Sequence, residues 1–152
     1  MELLVTMIIS SIVLSIASLA YEIIYKQYYT YRKSNDKIIE SLTLKTILNN
    51  DFILSEKIIK SSKGFIVMDK TGKNVNYILS SGNIIREVSQ VMDTFFLSVQ
   101  HPQFKFQRQQ QDENKCIDEF YFESTVLNEK EQFHFFKLYG SNIIMQAEKE
   151  KY

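Results

Sequence analysis

The chain is poor in the residues that staple, bend or ligate. Its 152 residues include one Cys, one Pro, four Gly, two His and no Trp. A single thiol, Cys116, excludes an internal disulfide and a multi-cysteine zinc site. The scarcity of Gly and Pro excludes a collagenous or linker-like chain. Charge of one sign is not in excess, because 18 Lys plus Arg face 18 Asp plus Glu. Nucleic acid is therefore not an expected partner by bulk charge, since phosphate neutralisation needs clustered surplus cations. His101 and His134 lie far apart, with no metal-ligand spacing between them. There is no Gly-rich phosphate loop and no Gly-x-Ser-x-Gly elbow. Asp112 and Glu113 are adjacent acids, far short of the about six to eight oxygens that calcium prefers. Cys116 has no neighbouring motif and reads as a small buried apolar residue rather than a nucleophile. No metal, cofactor or catalytic residue is expected.

An apolar fraction of 45% against 24% charged excludes wholesale disorder, and the apolar residues are unevenly placed. From Leu3 to Tyr21 no side chain is charged. As a helix this run covers about 28 Å, close to the about 30 Å of a bilayer's hydrocarbon core. Helix is the state that satisfies its own backbone in lipid. The hydroxyls of Thr6, Ser10, Ser11, Ser15 and Ser18 are compatible with it, because they can bond back one turn. A buried soluble helix would carry a polar stripe. A secretory signal would carry cations before a shorter apolar core, whereas only Met1 and Glu2 stand there. A membrane anchor fits better than either. Glu2 is the one acid at the mouth of this helix, suited to the positive end of the helix dipole. Ser11, Ser15 and Ser18 share a face, a small-residue stripe on which a second helix could pack closely, although chance accounts for it equally well.

Periodicity continues past the apolar run. Glu22 and Lys26 form a favourable i, i+4 pair. Tyr21, Tyr25, Tyr28, Tyr29 and Tyr31 form an aromatic band at the expected water boundary. Arg32, Lys33 and Lys37 read as a solvated face. Apolar residues recur at Ile24, Tyr28, Tyr31, Ile38, Leu42, Ile47, Leu48 and Phe52, an amphipathic face. One helix from about Leu3 to about Asn49 is expected, with a second short helical stretch through Lys60 carried beside it.

After Gly64 the period changes to two. Phe65–Met68, Val75–Leu79 and Ile84–Val88 read as a three-stranded meander, turned at Asp69–Gly72 and Ser80–Asn83. Val91–Val99 is a fourth strand candidate, and the polar Gln107–Asn114 a loop. Cys116–Val126 and Gln132–Tyr139 form an expected hairpin around Leu127–Lys130, with Phe120, Phe122, Phe133 and Phe135 as cross-strand aromatics. Ile143–Tyr152 is expected to be a last strand. Arg86 is left between an outward-facing residue and a structural ion pair.

The opening Glu2-Leu3-Leu4-Val5-Thr6-Met7, running into an apolar helix, resembles the amino-terminal helix of type IV pilins and type II secretion pseudopilins. In that family a basic leader ending in Gly precedes Phe-Thr-Leu-Ile-Glu-Leu-Leu-Val, and this chain matches from the Glu onward. Met1 stands where the family has Ile or a similar residue, so leader cleavage and N-methylation are carried over to no residue here. A late start, a trimmed chain and an unprocessed protein stay open. The strand Val75-x-Tyr77-x-Leu79 followed by Ile84-Ile85-Arg86 is similar to the sheet of J-type minor pseudopilins and W-type minor pilins.

The resemblance implies an α+β, pilin-like fold, in which a long N-terminal helix, membrane-spanning then amphipathic, packs on a small antiparallel sheet. Residues 1–25 would be the transmembrane and assembly helix, 26–60 its amphipathic continuation and 61–152 a β-rich extracytoplasmic domain. It implies assembly contacts at Glu2, Leu3, Leu4, Val5, Ser11, Ser15 and Ser18, with Glu2 meeting a neighbouring subunit's amino terminus. The implied partners are other pilin or pseudopilin subunits, an inner-membrane assembly platform and, before assembly, membrane lipid. The implied location is the cytoplasmic membrane, single-pass, with the domain on the extracytoplasmic side. The implied role is a non-enzymatic minor subunit for secretion or pilus biogenesis. A competence pseudopilin for DNA uptake, a membrane-anchored binding or sensor module, and a small envelope enzyme are the other readings.

Overall fold

The computed structural model describes residues 2–149. The chain falls into two compact units, Met1–Lys37 and Ile38–Tyr152. Helix α1 runs without a break from Glu2 to Leu54. No Gly or Pro interrupts it, and its Ser and Thr residues do not compete with the backbone. They bond back along the helix instead: the Thr6 hydroxyl donates to the Glu2 and Leu3 carbonyls, and Ser15 to that of Ser11. The molecule is α+β: this 53-residue helix is followed by antiparallel sheets.

In the second unit, α1 buries Ser41, Leu44, Leu48 and Phe52. Their spacing of three and four puts them on one face. That face is rotated from the expected one, because Ile38 and Leu42 are exposed. The polar Ser41 takes the core position and its hydroxyl donates to Glu131 at 2.9 Å, so the burial is compensated.

The helix ends at Leu54, where the Ser55 hydroxyl donates back to the Phe52 carbonyl at 2.8 Å. Lys137, far along the chain, sends its ammonium to the carbonyls of Phe52 at 3.1 Å and Ser55 at 2.5 Å. The last turn of α1 has no basic residue of its own, and this distant lysine supplies the cation that the negative helix end favours. Burial depresses the Lys137 pKa. The short helix expected through Lys60 is therefore not found. Residues Ser55–Ser61 are strand β1.

The first sheet is a five-stranded meander: β1, β2 (Gly64–Asp69), β3 (Asn74–Leu79), β4 (Ile84–Val88) and β5 (Val91–Phe95), each paired with the next. The three strands expected there are present, and the fourth candidate is β5, shortened to end at Phe95. The Asp69–Gly72 turn is closed by the Gly72 N–H on the Asp69 carbonyl, with Gly72 at a positive φ of 80°. At Gly64 the reason for glycine is space, since a Cβ there would overlap the Tyr77 carbonyl oxygen.

The second sheet has the order β7-β6-β8-β9, from β6 (Gln100–Phe106), β7 (Gln109–Gln110), β8 (Glu119–Val126) and β9 (Glu129–Phe136). The expected hairpin is β8–β9, and its register sets Phe120 against Phe135 and Phe122 against Phe133. Strand β6 has no counterpart among the sequence expectations, and two residues of the expected polar loop pair with it as β7. The expected last strand is instead helix α2 (Ser141–Lys149), with residues 150–152 outside the described part. Ile143 and Ile144 are adjacent rather than alternating, and their N–H groups both reach the Gly140 carbonyl, which winds a first turn.

The core of this unit is aromatic. Phe65 stacks on Tyr77 at 4.8 Å and meets Phe120 at 4.9 Å, and Phe104 stacks on Phe120 at 5.0 Å. Phe52 of α1 lies 5.7 Å from Phe65 and 5.8 Å from Phe135. One helix and both sheets therefore share a single cluster. Residues 114–117 cover the outer edge of β1: the Lys60 N–H donates to Lys115, Asn114 donates back to Lys60, and Ile117 donates to Ile58. The Tyr139 hydroxyl joins the same seam, accepting from the Ile58 N–H and donating to the Ile117 carbonyl.

Candidate assembly surface on the first half of the long helix

The sequence-derived contact residues all lie on the exposed part of α1 within the first unit. Glu2, Leu3, Leu4 and Val5 form the first turn. Ser11, Ser15 and Ser18 follow as one stripe. At about 100° per residue, Ser11 lies about half a turn around the helix from Glu2. The structure thus separates the acid from the small-residue stripe onto opposite sides.

Apolar side chains cover the whole circumference of this segment. Their exposure runs from 51% at Ile8 to 82% at Leu3, with none buried between Leu3 and Ile24. A window of this helix reaches a mean hydropathy of 2.4, long and apolar enough to cross a membrane. So much apolar surface is not left to water in a stable chain, and lipid or other helices are the environments that match it. The Ser11 hydroxyl donates to the Ile8 carbonyl at 2.8 Å, and that of Ser15 to Ser11 at 2.8 Å. Each hydroxyl is thereby satisfied within the helix, and the stripe presents small, nearly apolar surface. Among the described residues the Glu2 carboxylate has no partner.

In the second unit the structure resolves the question left at Arg86. Its guanidinium Nε lies 2.8 Å from Asp51 Oδ2, on the last turns of α1, and 3.0 Å from the Tyr77 hydroxyl. Tyr77 in turn donates to Asp51. The second guanidinium branch reaches Asp93 on β5 at 3.4 Å. Burial first, and then the Asp51 carboxylate, hold the Tyr77 phenol protonated far above its ordinary range. The Asp51 hydrogen bond keeps Arg86 charged. This network ties α1, β3, β4 and β5 together. Its sequence signal was half visible, in the aromatic-then-Arg pattern of two neighbouring strands. Asp51 carried no signal, because its partners come from remote strands.

Cys116 is buried at 4% exposure, and desolvation raises its thiol pKa, which suits a packing role. Asp118 accepts the Gln107 N–H at 2.8 Å and so holds the β6–β7 turn, while burial pushes its carboxyl up. On the exposed face of the second sheet, His134 lies 2.9 Å from Glu119 and His101 3.8 Å from Glu123. Among the described residues no group of three or more His, Cys, Asp or Glu is placed to hold a metal ion. No family model, curated protein or solved structure matches the chain.

Proposed function

We propose that this chain is a minor structural subunit of the type IV pilin or type II secretion pseudopilin kind. It is held in the cytoplasmic membrane by the first half of α1, with its sheet domain on the extracytoplasmic side, and joins sister subunits through that helix. The observation that carries the reading is the unbroken 53-residue helix, apolar on every side at one end and buried on one face within an α+β unit at the other. A plain anchor needs only the span. The acid at its mouth and the serine stripe on its far side add features suited to specific helix–helix contact.

The energetic logic is exchange of environment. In lipid the apolar segment is already satisfied, so association draws on close packing and on compensation of charge. A carboxylate moved among apolar helices is costly alone and tolerable beside a cation, for which a neighbouring subunit's amino terminus is suited. Other subunits and an inner-membrane assembly platform are the partners of this reading, in secretion, pilus biogenesis or DNA uptake. Glu2→Ala tests it. The variant should stay folded and membrane-inserted while its recovery in co-purified pilin-like complexes falls at least tenfold. Unchanged co-purification, with unchanged secretion or piliation in the host, would count decisively against it.

A further inference from the structure

Beyond Tyr21, the side chains of α1 in the first unit follow a definite order. Apolar residues give way to Tyr25, Tyr28 and Tyr29, and these to Arg32 and Lys33. With Asp36 these residues line an open, solvent-facing groove on one side of the helix. The tyrosines are exposed at 60–63%. Among the described residues neither Arg32 nor Lys33 has an ion-pair or hydrogen-bond partner. From Glu22 to Lys37 the cations Lys26, Arg32, Lys33 and Lys37 outnumber the acids Glu22 and Asp36, although the chain as a whole is neutral.

A bilayer leaflet presents the complementary sequence: acyl chains, then an interfacial layer suited to Tyr, then phosphates. With the hydrocarbon edge near Tyr25, the Arg32 backbone lies about 10 Å beyond it at about 1.5 Å rise per residue. Helical side chains lean toward the N-terminus, and long cationic ones extend their stems along apolar surface. Arg32 and Lys33 each follow Tyr28 and Tyr29 by about one helical turn, so cationic stems of that length reach a headgroup layer about 5–7 Å deep. Arg32 and Lys33 against the single acid Asp36 leave the site net positive, which matches a headgroup of net negative charge better than a zwitterionic one, whose own ammonium already balances its phosphate.

We propose that this tyrosine-lined, basic turn of α1 is a binding site for anionic phospholipid, with Arg32 and Lys33 on the headgroup phosphate and Tyr25, Tyr28 and Tyr29 flanking the glycerol region. The inference rests on the membrane-span part of the reading above and not on filament assembly. The subunit would thus enter the bilayer with its depth fixed by a headgroup contact.

The test is native mass spectrometry of the full chain in detergent micelles doped with equimolar phosphatidylglycerol and phosphatidylcholine. The unmodified chain should retain phosphatidylglycerol preferentially. A cation near an anionic surface contributes about fivefold to binding, so Arg32→Gln with Lys33→Gln should lower that preference by about twenty-five-fold. The charge-keeping pair Arg32→Lys with Lys33→Arg should preserve it, and circular dichroism should show the helix intact in both. Equal retention of the two lipids by the unmodified chain, or a preference untouched by the double Gln variant, overturns the site. Release of the chain from membranes by alkaline carbonate overturns the span itself, and a failure of the Glu2→Ala assembly test leaves this lipid result standing.

Discussion

Asp51, Tyr77 and Arg86 show how one carboxylate can organise residues from separate elements. Asp51 accepts from both the Tyr77 hydroxyl and the Arg86 guanidinium, and Arg86 is mostly covered. Asp51→Asn keeps the shape and removes the charge. It leaves the phenol and the guanidinium with a weaker acceptor, while Asp93 still holds one branch of Arg86. The expected cost is about 1–3 kcal/mol of stability, read as a lower denaturant midpoint with unchanged slope. An unmoved midpoint would show the network to be incidental. The sequence exposed Tyr77 and Arg86 through strand alternation, because both lie on β-strands with a regular period. It concealed Asp51, and it concealed Lys137 as the cation at the end of α1. Their partners are remote in sequence, and no local period encodes a remote partner.

Elements with a clear period were legible, and those fixed by tertiary contacts were not. The meander and the Phe-rich hairpin follow from alternation, and the long helix from its unbroken propensity. Strand β1 carries helix formers, and the groups that end α1 before it are the Ser55 hydroxyl and the remote Lys137 ammonium, which no helical period reveals. Strand β6 carries Pro102 and a register irregularity between Gln100 and Gln103, so its alternation is plain only at Phe104 and Phe106. The scarcity of glycine also shows at this scale. Three tight turns use non-glycine residues with positive φ at both central positions: Ser89–Gln90, Gln107–Arg108 and Leu127–Asn128. The last joins β8 to β9 with φ values of 51° and 70°. A leucine in that left-handed region is strained by about 1–2 kcal/mol, and Asn-Gly is the pair such a turn favours. Leu127→Asn with Asn128→Gly should therefore raise the unfolding midpoint, by about 1 kcal/mol in stability. A lowered midpoint would mean that the Leu127 side chain contributes more by packing than the turn costs.

At the scale of the whole molecule, a single helix carries two kinds of surface. One stretch presents apolar side chains all round, and another buries Leu44, Leu48 and Phe52 in an aromatic core. The core of the second unit joins its strands to Leu44, Leu48 and Phe52 of α1, whereas in the first unit the apolar side chains from Leu3 to Ile24 are exposed. On the proposed reading that surface is covered by lipid before assembly and by sister helices after it. The distinction between an anchor and a docking stem is therefore a question of side-chain identity. An anchor needs only hydrophobicity and length, while a stem needs its acid and its small residues in register. The decisive measurement replaces residues 3–21 with a leucine-rich helix of equal length, leaving Glu2 and the domain intact, and compares membrane insertion with recovery of pilin-like partners from detergent extracts. Retained insertion with partner recovery lost is the expected result. Partner recovery at the level of the unmodified chain would show that the segment only tethers the domain, and would contradict the account.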